Sequence, residues 1–266
     1  MKTILIPTDF SENSINACRY ALKFAQDMKA KVLLINAYQI PIPFGDLPIT
    51  VMAEPEVHKI SLNSLEELKT KLSSEITNVE IKLHAELGEP DYIIEKLYKR
   101  MHADIVIMGL QGISKSTELF IGSNTYALFN HAVCNIMAIP SSFKYEGPTR
   151  ILVATEDNYK EKKTFLDEIS NQFKSKVILF HVITENVEQV ELEEKGKLFE
   201  GIHKQRLKEG ENIEESIVNQ ANNLKANLIV MFPHRHTFFQ RLFNRGNTSK
   251  VAQLVKVPLL GIAETN

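Results

Sequence analysis

The stretch Ile4-Leu5-Ile6-Pro7-Thr8-Asp9 opens the chain, and it returns near the middle as Ile151-Leu152-Val153-Ala154-Thr155-Glu156. Each copy begins with a short run rich in Ile, Leu and Val that is continuous rather than alternating. Strands buried on both faces of a parallel sheet have this pattern. The recurrence indicates that one strand-forming unit occurs twice.

Other segments also repeat in the same order. The second copy is shorter than the first, because it lacks residues after its second apolar run. Four anchors in one order indicate a tandem duplication. Besides the opening run, they are residues 31–36 and 176–181, residues 103–108 and 226–231, and Gly88-Glu89 and Gly210-Glu211.

Helical patterns lie between the apolar runs of the first copy. Their apolar stripes are Ile15, Cys18, Leu22 and Ala25 after a capping Ser11, then Leu62, Leu65, Leu68 and Leu72, then Ile93, Ile94 and Leu97 after Pro90. Strands that alternate with helices predict right-handed crossovers. The predicted fold class is therefore α/β, with two tandem doubly wound parallel five-stranded sheets that carry helices on both faces.

The predicted domains are residues 1–141 and 148–266, joined by a linker at Ser141–Pro148. The proline-rich segment Gln39–Lys59 is predicted to be a loop of the first copy only. Each copy closes on a fifth strand, at Asn135–Ile139 and Pro258–Ile262. Because an open strand edge invites pairing, we expect the copies to pack face to face with these strands buried along a pseudo-twofold axis.

Composition restricts the class of protein. The 266 residues carry a net charge of −2 with 44% hydrophobic residues, which gives no electrostatic drive toward nucleic acid. No apolar stretch approaches the length of a membrane span or a signal-peptide core. The two cysteines, Cys18 and Cys134, form no metal or redox spacing and are expected to be buried apolar residues. We expect a cytoplasmic protein.

The candidate binding motif lies at the end of the fourth strand of the first copy. Gly109-Leu110-Gln111-Gly112 follows the strand, and nine residues later Gly122-Ser123-Asn124 opens the next helix. Free amides and the helix dipole at such an N-terminus favour a phosphate. The alternative is three independent turn glycines.

With this glycine spacing, the opening Pro7-Thr8-Asp9 and the Gly88-Glu89-Pro90 turn, the chain resembles the universal stress proteins, in a tandem form. The resemblance implies a Rossmann-like fold of the adenine-nucleotide alpha hydrolase type and a site for ATP, AMP or ADP, with or without Mg²⁺ or Mn²⁺. It places the adenine end at Asp9 and the backbone of Ala37, with Thr8 beside them. Gly109 and Gly112 would line the ribose and phosphates. The phosphates would be held by Gly122, Ser123 and Asn124.

The chain departs from the family pattern in both copies. In the first, Ile113 stands where family members often have a basic residue, with Lys115 as the nearest cation, and Asn135 replaces a proline. In the second, Phe232-Pro233-His234-Arg235 lacks the glycines, Gly246-Asn247-Thr248 is out of register, and Glu156 replaces Asp9. We expect nucleotide in the first copy only. His234, Arg235 and His236 fit either an anion or metal site or, more simply, a solvated loop.

Three functions compete. The first is a nucleotide-binding stress-response regulator or sensor that acts through an unknown protein partner. The second is a slow ATPase or another adenine-nucleotide hydrolase, although no nucleophile–base constellation accompanies the motif and we assign no catalytic residue or metal ligand. The third is a ligand-free dimeric scaffold. We favour the first, as an intramolecular pseudo-dimer able to form a homodimer.

Overall fold

The computed structural model describes residues 2–40, 53–111, 121–155, 165–183, 199–206, 213–232 and 256–263. Strands and helices alternate along both halves of the chain. In chain order the elements are β1 (Thr3–Pro7), α1 (Glu12–Met28), β2 (Lys31–Tyr38), α2 (Glu54–Glu75), β3 (Ile81–Leu87), α3 (Pro90–Met101), β4 (Ile105–Gly109), α4 (Ser123–His131), β5 (Ile136–Ile139), β6 (Arg150–Thr155), α5 (Phe165–Phe173), β7 (Lys176–Ile183), β8 (Gly201–Arg206), α6 (Ile213–Asn223), β9 (Leu228–Met231) and β10 (Leu259–Gly261).

The strands form one sheet in the order β3-β2-β1-β4-β5-β10-β9-β6-β7-β8. Within each half the strands are parallel, and the fifth strands of the two halves, β5 and β10, pair antiparallel. The α/β prediction and the two sets of five strands are confirmed. The expected face-to-face packing is wrong, because the two halves join edge to edge through backbone hydrogen bonds. That pairing removes the open edges of β5 and β10.

Two helices of the first half, α1 and α3, begin where the sequence predicts. Ser11 is the N-cap of α1, with its hydroxyl accepting from the amide of Ser14 at 3.2 Å. Pro90 occupies the first turn of α3, where its missing amide proton has no cost. The predicted loop Gln39–Lys59 is too long at its end, since α2 already begins at Glu54. Pro55 lies in the first turn of that helix, a position that tolerates proline.

The hydrophobic core has a layer on each face of the sheet, and both layers draw residues from both halves. One layer contains residues from β1 and α4 together with residues from β6 and α6. The other contains residues from α1 and α2 together with residues from α5 and β9. Sheet and core therefore continue across residues 141–148, and the division into two domains at these limits stays a prediction.

The segment between β5 and β6 forms neither helix nor strand and packs against α1. The Nδ2 of Asn16 donates to the carbonyls of Pro140 and Phe143 at 3.2 and 3.1 Å. The ring of Tyr145 meets the ring of Tyr20 edge-on, with centroids 4.9 Å apart. Helix α1 thus holds the connection between the two repeats.

Asn135, which replaces a proline of the family pattern, ties the two halves together at their seam. Its Oδ1 accepts from the backbone amide of Ala263 at 3.0 Å, just beyond β10. Its Nδ2 donates to the carbonyl of Asp104 at 2.9 Å, just before β4. Proline could make neither bond, so the departure has a structural reason.

We expect Asn135→Ala to lower the free energy of unfolding by about 1–3 kcal/mol, because it removes both side-chain bonds and leaves the partly buried amide of Ala263 without its acceptor. Guanidinium unfolding followed by circular dichroism measures the change. Asn63→Ala, at an exposed position of α2, is the matched control and should be neutral or slightly stabilising. Equal unfolding midpoints for the two variants would contradict the role given to Asn135.

Both cysteines are free and buried, as expected. Loss of solvation is the main cause that raises the pKa of Cys18, and likewise that of Cys134, to about 12. Each sulfur is therefore a neutral thiol near neutral pH rather than a reactive thiolate.

We expect a disulfide reagent at pH 8 to label neither Cys18 nor Cys134 in the folded protein, and to label both after denaturation. Both the raised pKa and the burial act in this direction, since the thiolate forms only as pH approaches 12. Absorbance of the released thiol measures the labelling. Rapid labelling of the native chain would show that a cysteine is accessible.

Of the helices that the structure describes, none is long and apolar enough to cross a membrane.

Candidate functional site

A cleft of about 520 Å³ lies beyond the carboxyl ends of β1, β2 and β4, between the first turns of α3 and α4. In this sheet β2 and β4 flank β1, so the chain reverses its winding direction at this point. Ligands of open α/β sheets bind at such a topological switch point. Its described lining residues are Pro7, Thr8, Asp9, Ser14, Ala37, Gln39, Glu89, Pro90, Ile94, Met108, Gly109, Gln111, Gly122, Ser123, Asn124 and Thr125.

The structure brings most of the sequence-predicted site residues together in this cleft. Those that line it are Thr8, Asp9, Ala37, Gly109, Gly122, Ser123 and Asn124. Gly112 and Lys115 lie outside the described residues. Residues distant in sequence meet here because their strands end at the same edge of the sheet.

A tight turn after β1 presents Asp9 to the cleft. Phe10 has a φ of 62°, a left-handed conformation that is costly for a bulky residue. The turn is held by the amide of Phe10, which donates to the Thr8 hydroxyl at 3.0 Å. Oδ1 of Asp9 accepts from the amide and the hydroxyl of Ser11 at 3.0 and 2.6 Å. Asp9 therefore supports the start of α1 as well as lining the cleft.

Buried hydrogen bonds fix the backbone of Thr8. Its amide donates to the carbonyl of Ile35 at 2.8 Å, and its carbonyl accepts from Nδ2 of Asn36 at 2.8 Å. Asn36 in turn accepts from the hydroxyl of Ser61 at 2.7 Å. This chain of bonds joins β1, β2 and α2, so the floor of the cleft is rigidly placed.

Tyr38, next to Ala37, fixes the end of β2 against α2. Its hydroxyl donates to Oε1 of Glu54 at 2.9 Å and lies 2.9 Å from Nδ1 of His58. Loss of solvation and then the bond to Glu54 raise the pKa of Tyr38 to about 12. The side chain therefore stays neutral and structural near neutral pH.

Gly109 lines the cleft, and the local backbone leaves little room for a side chain there. A Cβ there would lie 3.1 Å from the carbonyl oxygen of Gln111 and 3.4 Å from that of Asn13. Both neighbours are backbone atoms that cannot rotate away. The glycine at the end of β4 thus lets α1 and the segment after β4 approach each other.

Helix α4 begins at the cleft with its amides open. Gly122 is the N-cap, and it provides no side-chain bond to the first turn. Within the described part of the chain, the amides of Ser123, Asn124 and Thr125 have no acceptor. Two neighbouring hydrogen bonds, each of 2.9 Å, hold the start of the helix in place. The amide of Gly122 donates to the carbonyl of Leu110, and the hydroxyl of Thr125 donates to the carbonyl of Gly109.

The described lining residues carry charge only at Asp9 and Glu89, both acidic. The Nε2 of Gln39 donates to Oε1 of Glu89 at 2.8 Å across the mouth of the cleft. No group of three or more metal-ligating side chains is found among the described residues. An anion at α4 would therefore be bound mainly by backbone amides.

Sequence reasoning missed Gln39, Glu89 and Thr125 as residues of the cleft. Gln39 follows β2 and Glu89 follows β3, and the rule that singled out Asp9 after β1 applies equally to them. Thr125 directly follows Gly122-Ser123-Asn124. Its hydroxyl-to-carbonyl bond could not be inferred from spacing.

The matching region of the second half is described only in part. Thr155 ends β6, His181 lies in β7, and Phe232 follows β9. Glu156, the His234–His236 segment and Gly246 lie outside the described residues. The expectation that this copy binds no nucleotide stays a prediction.

A doubly wound parallel sheet with an open helix N-terminus at its switch point defines a Rossmann-like fold with a candidate anion-binding cleft. The model of the universal stress protein family matches residues 1–140 and 184–262. The chain belongs to that family.

Known relatives match about half of the chain each. A universal stress protein of Methanocaldococcus jannaschii is 27% identical over 140 residues, which is 52% of this chain and 81% of the relative. A putative universal stress protein of Staphylococcus haemolyticus is 27% identical over 162 residues, which is 56% of this chain and 93% of the relative.

Some solved structures match nearly the whole length of this chain. A universal stress protein from Archaeoglobus fulgidus has a TM-score of 0.69 and 16% identity, covering 99% of this chain and 98% of its own. A protein of unknown function from Pseudomonas aeruginosa has a TM-score of 0.59 and 13% identity, covering 98% and 92%. At these identities the likeness shows the fold.

We expect Thr125→Val to lower the free energy of unfolding by about 1–2 kcal/mol, because the nearly isosteric side chain removes the buried donor to the Gly109 carbonyl. Thr70→Val, at an exposed position of α2, is the matched control and should change stability by less than about 0.5 kcal/mol. Chemical unfolding of both variants measures the difference. Indistinguishable curves would show that Thr125 does not anchor α4.

Proposed function

We propose that the first copy binds ATP, or its product forms ADP or AMP, and that the chain is a stress-response regulator or sensor that acts through a protein partner in the cytoplasm. One observation carries the proposal. The amides of Ser123, Asn124 and Thr125 open into the cleft with no acceptor among the described residues. A phosphate group supplies the acceptors that such a helix start requires.

The geometry favours one orientation of the nucleotide. The phosphates lie at α4, where the helix dipole and the Ser123 hydroxyl stabilise negative charge. The base lies toward Asp9 and Ala37 at the ends of β1 and β2, and the ribose lies between the base and the phosphates, along Gly109. Oδ1 of Asp9 is occupied by Ser11, whereas Oδ2 has no donor among the described residues. That oxygen is available to an exocyclic amine or a ribose hydroxyl.

The charge of the phosphates needs a further partner. Among the described lining residues there is no Lys, Arg or His. We propose that a divalent ion, Mg²⁺ or Mn²⁺, accompanies the nucleotide and bridges its phosphate oxygens. Binding of ATP should then weaken markedly in excess chelator.

The nature of the bound molecule separates the competing functions. The purified protein is denatured and any released nucleotide is identified by chromatography, and then again after incubation with ATP and Mg²⁺. Released ATP that persists supports a binding module. ADP that accumulates with time supports slow hydrolysis. A protein that carries no nucleotide and ignores added ATP would be a scaffold.

We expect one nucleotide per chain, bound in the first copy. Gly122→Val should weaken ATP binding at least a hundredfold, since its side chain blocks the approach to α4, and losing two charge-assisted bonds of about 1.5–3 kcal/mol each is enough. The N-cap has a φ of −61° and a ψ of 143°, which valine also adopts, so the variant should fold.

Gly246→Val, the counterpart in the second copy, is the control and should bind ATP as the parent does. Isothermal titration calorimetry with ATP and Mg²⁺ measures both variants. Two equivalent sites in the parent chain, or parental affinity in Gly122→Val, would show that the site is elsewhere.

A further inference from the structure

A pair of polar side chains lines the cleft on the side of β2, two strands away from the end of β4. Gln39 follows β2 and Glu89 is the N-cap of α3, and both are exposed residues that line the cleft. The Nε2 of Gln39 donates to Oε1 of Glu89 at 2.8 Å. This bond fixes a carboxylate at the mouth.

The carboxylate and the open amides lie at opposite ends of the cleft. Gln39 holds Glu89 at the end of β2, while Thr125 holds α4 at the end of β4, and β1 lies between these strands. With about 4.8 Å between neighbouring strands, the ends of β2 and β4 are about 10 Å apart. The cleft thus has hydrogen-bond donors at one end and an anion at the other.

The fold itself makes little use of the Glu89 side chain. It gives no capping hydrogen bond to α3, and its Oε2 has no donor among the described residues. A carboxylate at a helix N-terminus gains a modest stabilisation from the dipole. That gain does not require Gln39 to hold the side chain over the cleft.

We infer that Glu89, positioned by Gln39, is a specificity-determining residue of the cleft, which accepts nucleotides phosphorylated at one end only. The inference rests on the proposed function. A free ribose hydroxyl can donate to the carboxylate, whereas a phosphate on the 2′ or 3′ oxygen offers acceptors only and adds like charge beside it. Adenosine bisphosphates are therefore rejected at the mouth while their 5′-phosphate still fits α4.

The experiment compares ligands that differ by one phosphate. Calorimetry first identifies which of AMP, ADP and ATP binds the parent protein. That ligand is then displaced by AMP, by adenosine 2′,5′-bisphosphate and by adenosine 3′,5′-bisphosphate, at fixed Mg²⁺ and low salt. The measured quantity is the ratio of bisphosphate to AMP dissociation constants for the parent, Glu89→Gln, Gln39→Leu and Glu67→Gln.

In the parent this ratio should be about tenfold or more, and it should shrink at high salt because the repulsion is partly screened. Glu89→Gln keeps an acceptor for Gln39 and removes the charge, so its ratio should fall below about threefold. Gln39→Leu frees the carboxylate from its fixed position and should give an intermediate ratio. Glu67→Gln removes the same charge from an exposed position of α2 and should match the parent.

The outcomes separate this inference from the proposed function. If the parent binds none of the three nucleotides, the proposed function fails and the inference fails with it. If the parent binds nucleotide but Glu89→Gln and Gln39→Leu keep the parental ratio, the inference alone is overturned. Equal weakening of AMP and of both bisphosphates in Glu89→Gln also overturns it, because that pattern marks a general loss of binding.

Discussion

The first turn of α4 imposes the central constraint on this protein. The amides of Ser123, Asn124 and Thr125 point into a cleft and have no acceptor within the described part of the chain. The unpaired amides at a helix start favour an anion, and a phosphate is the partner that we propose for them. The surrounding structure maintains this arrangement, through Thr125 and Gly122 on one side and the rigid Thr8 network on the other.

The second half of the chain braces that helix. Phe129 of α4 packs so tightly on Gly261 of β10 that a Cβ there would lie 2.8 Å from the ring. Antiparallel pairing of β5 with β10 and the two bonds of Asn135 hold the same seam. A half whose own glycine motif is degenerate therefore retains a structural function, because it covers the edge of the sheet beside the proposed nucleotide site.

The sequence alone predicted the repeated elements and the position of the cleft. Apolar runs predicted the first, second, fourth and fifth strands of each half, whereas the mixed sequences of β3 and β8 gave no such signal. The residues after β1 and β4 pointed to Asp9 and Gly109, because strand ends converge in a parallel sheet. The start of α2 was missed because Pro55 suggests a loop, although it fits a first helical turn.

Other features depend on geometry that spacing does not encode. The apolar fifth strands indicated burial, and burial alone does not distinguish packed faces from paired edges. Glu89 joins the cleft because Gln39 reaches it from another strand end. Gly109 was assigned to ligand approach, yet its nearest neighbours are backbone atoms of its own chain.

The most direct test of the account follows backbone amides by nuclear magnetic resonance during titration with ATP and Mg²⁺. The account predicts that the amide resonances of Ser123, Asn124 and Thr125 shift downfield as the phosphates accept from them. Resonances of β7 and β8, at the edge of the sheet far from α4, should move little. Saturable shifts elsewhere in the chain with these three amides unmoved would contradict the account.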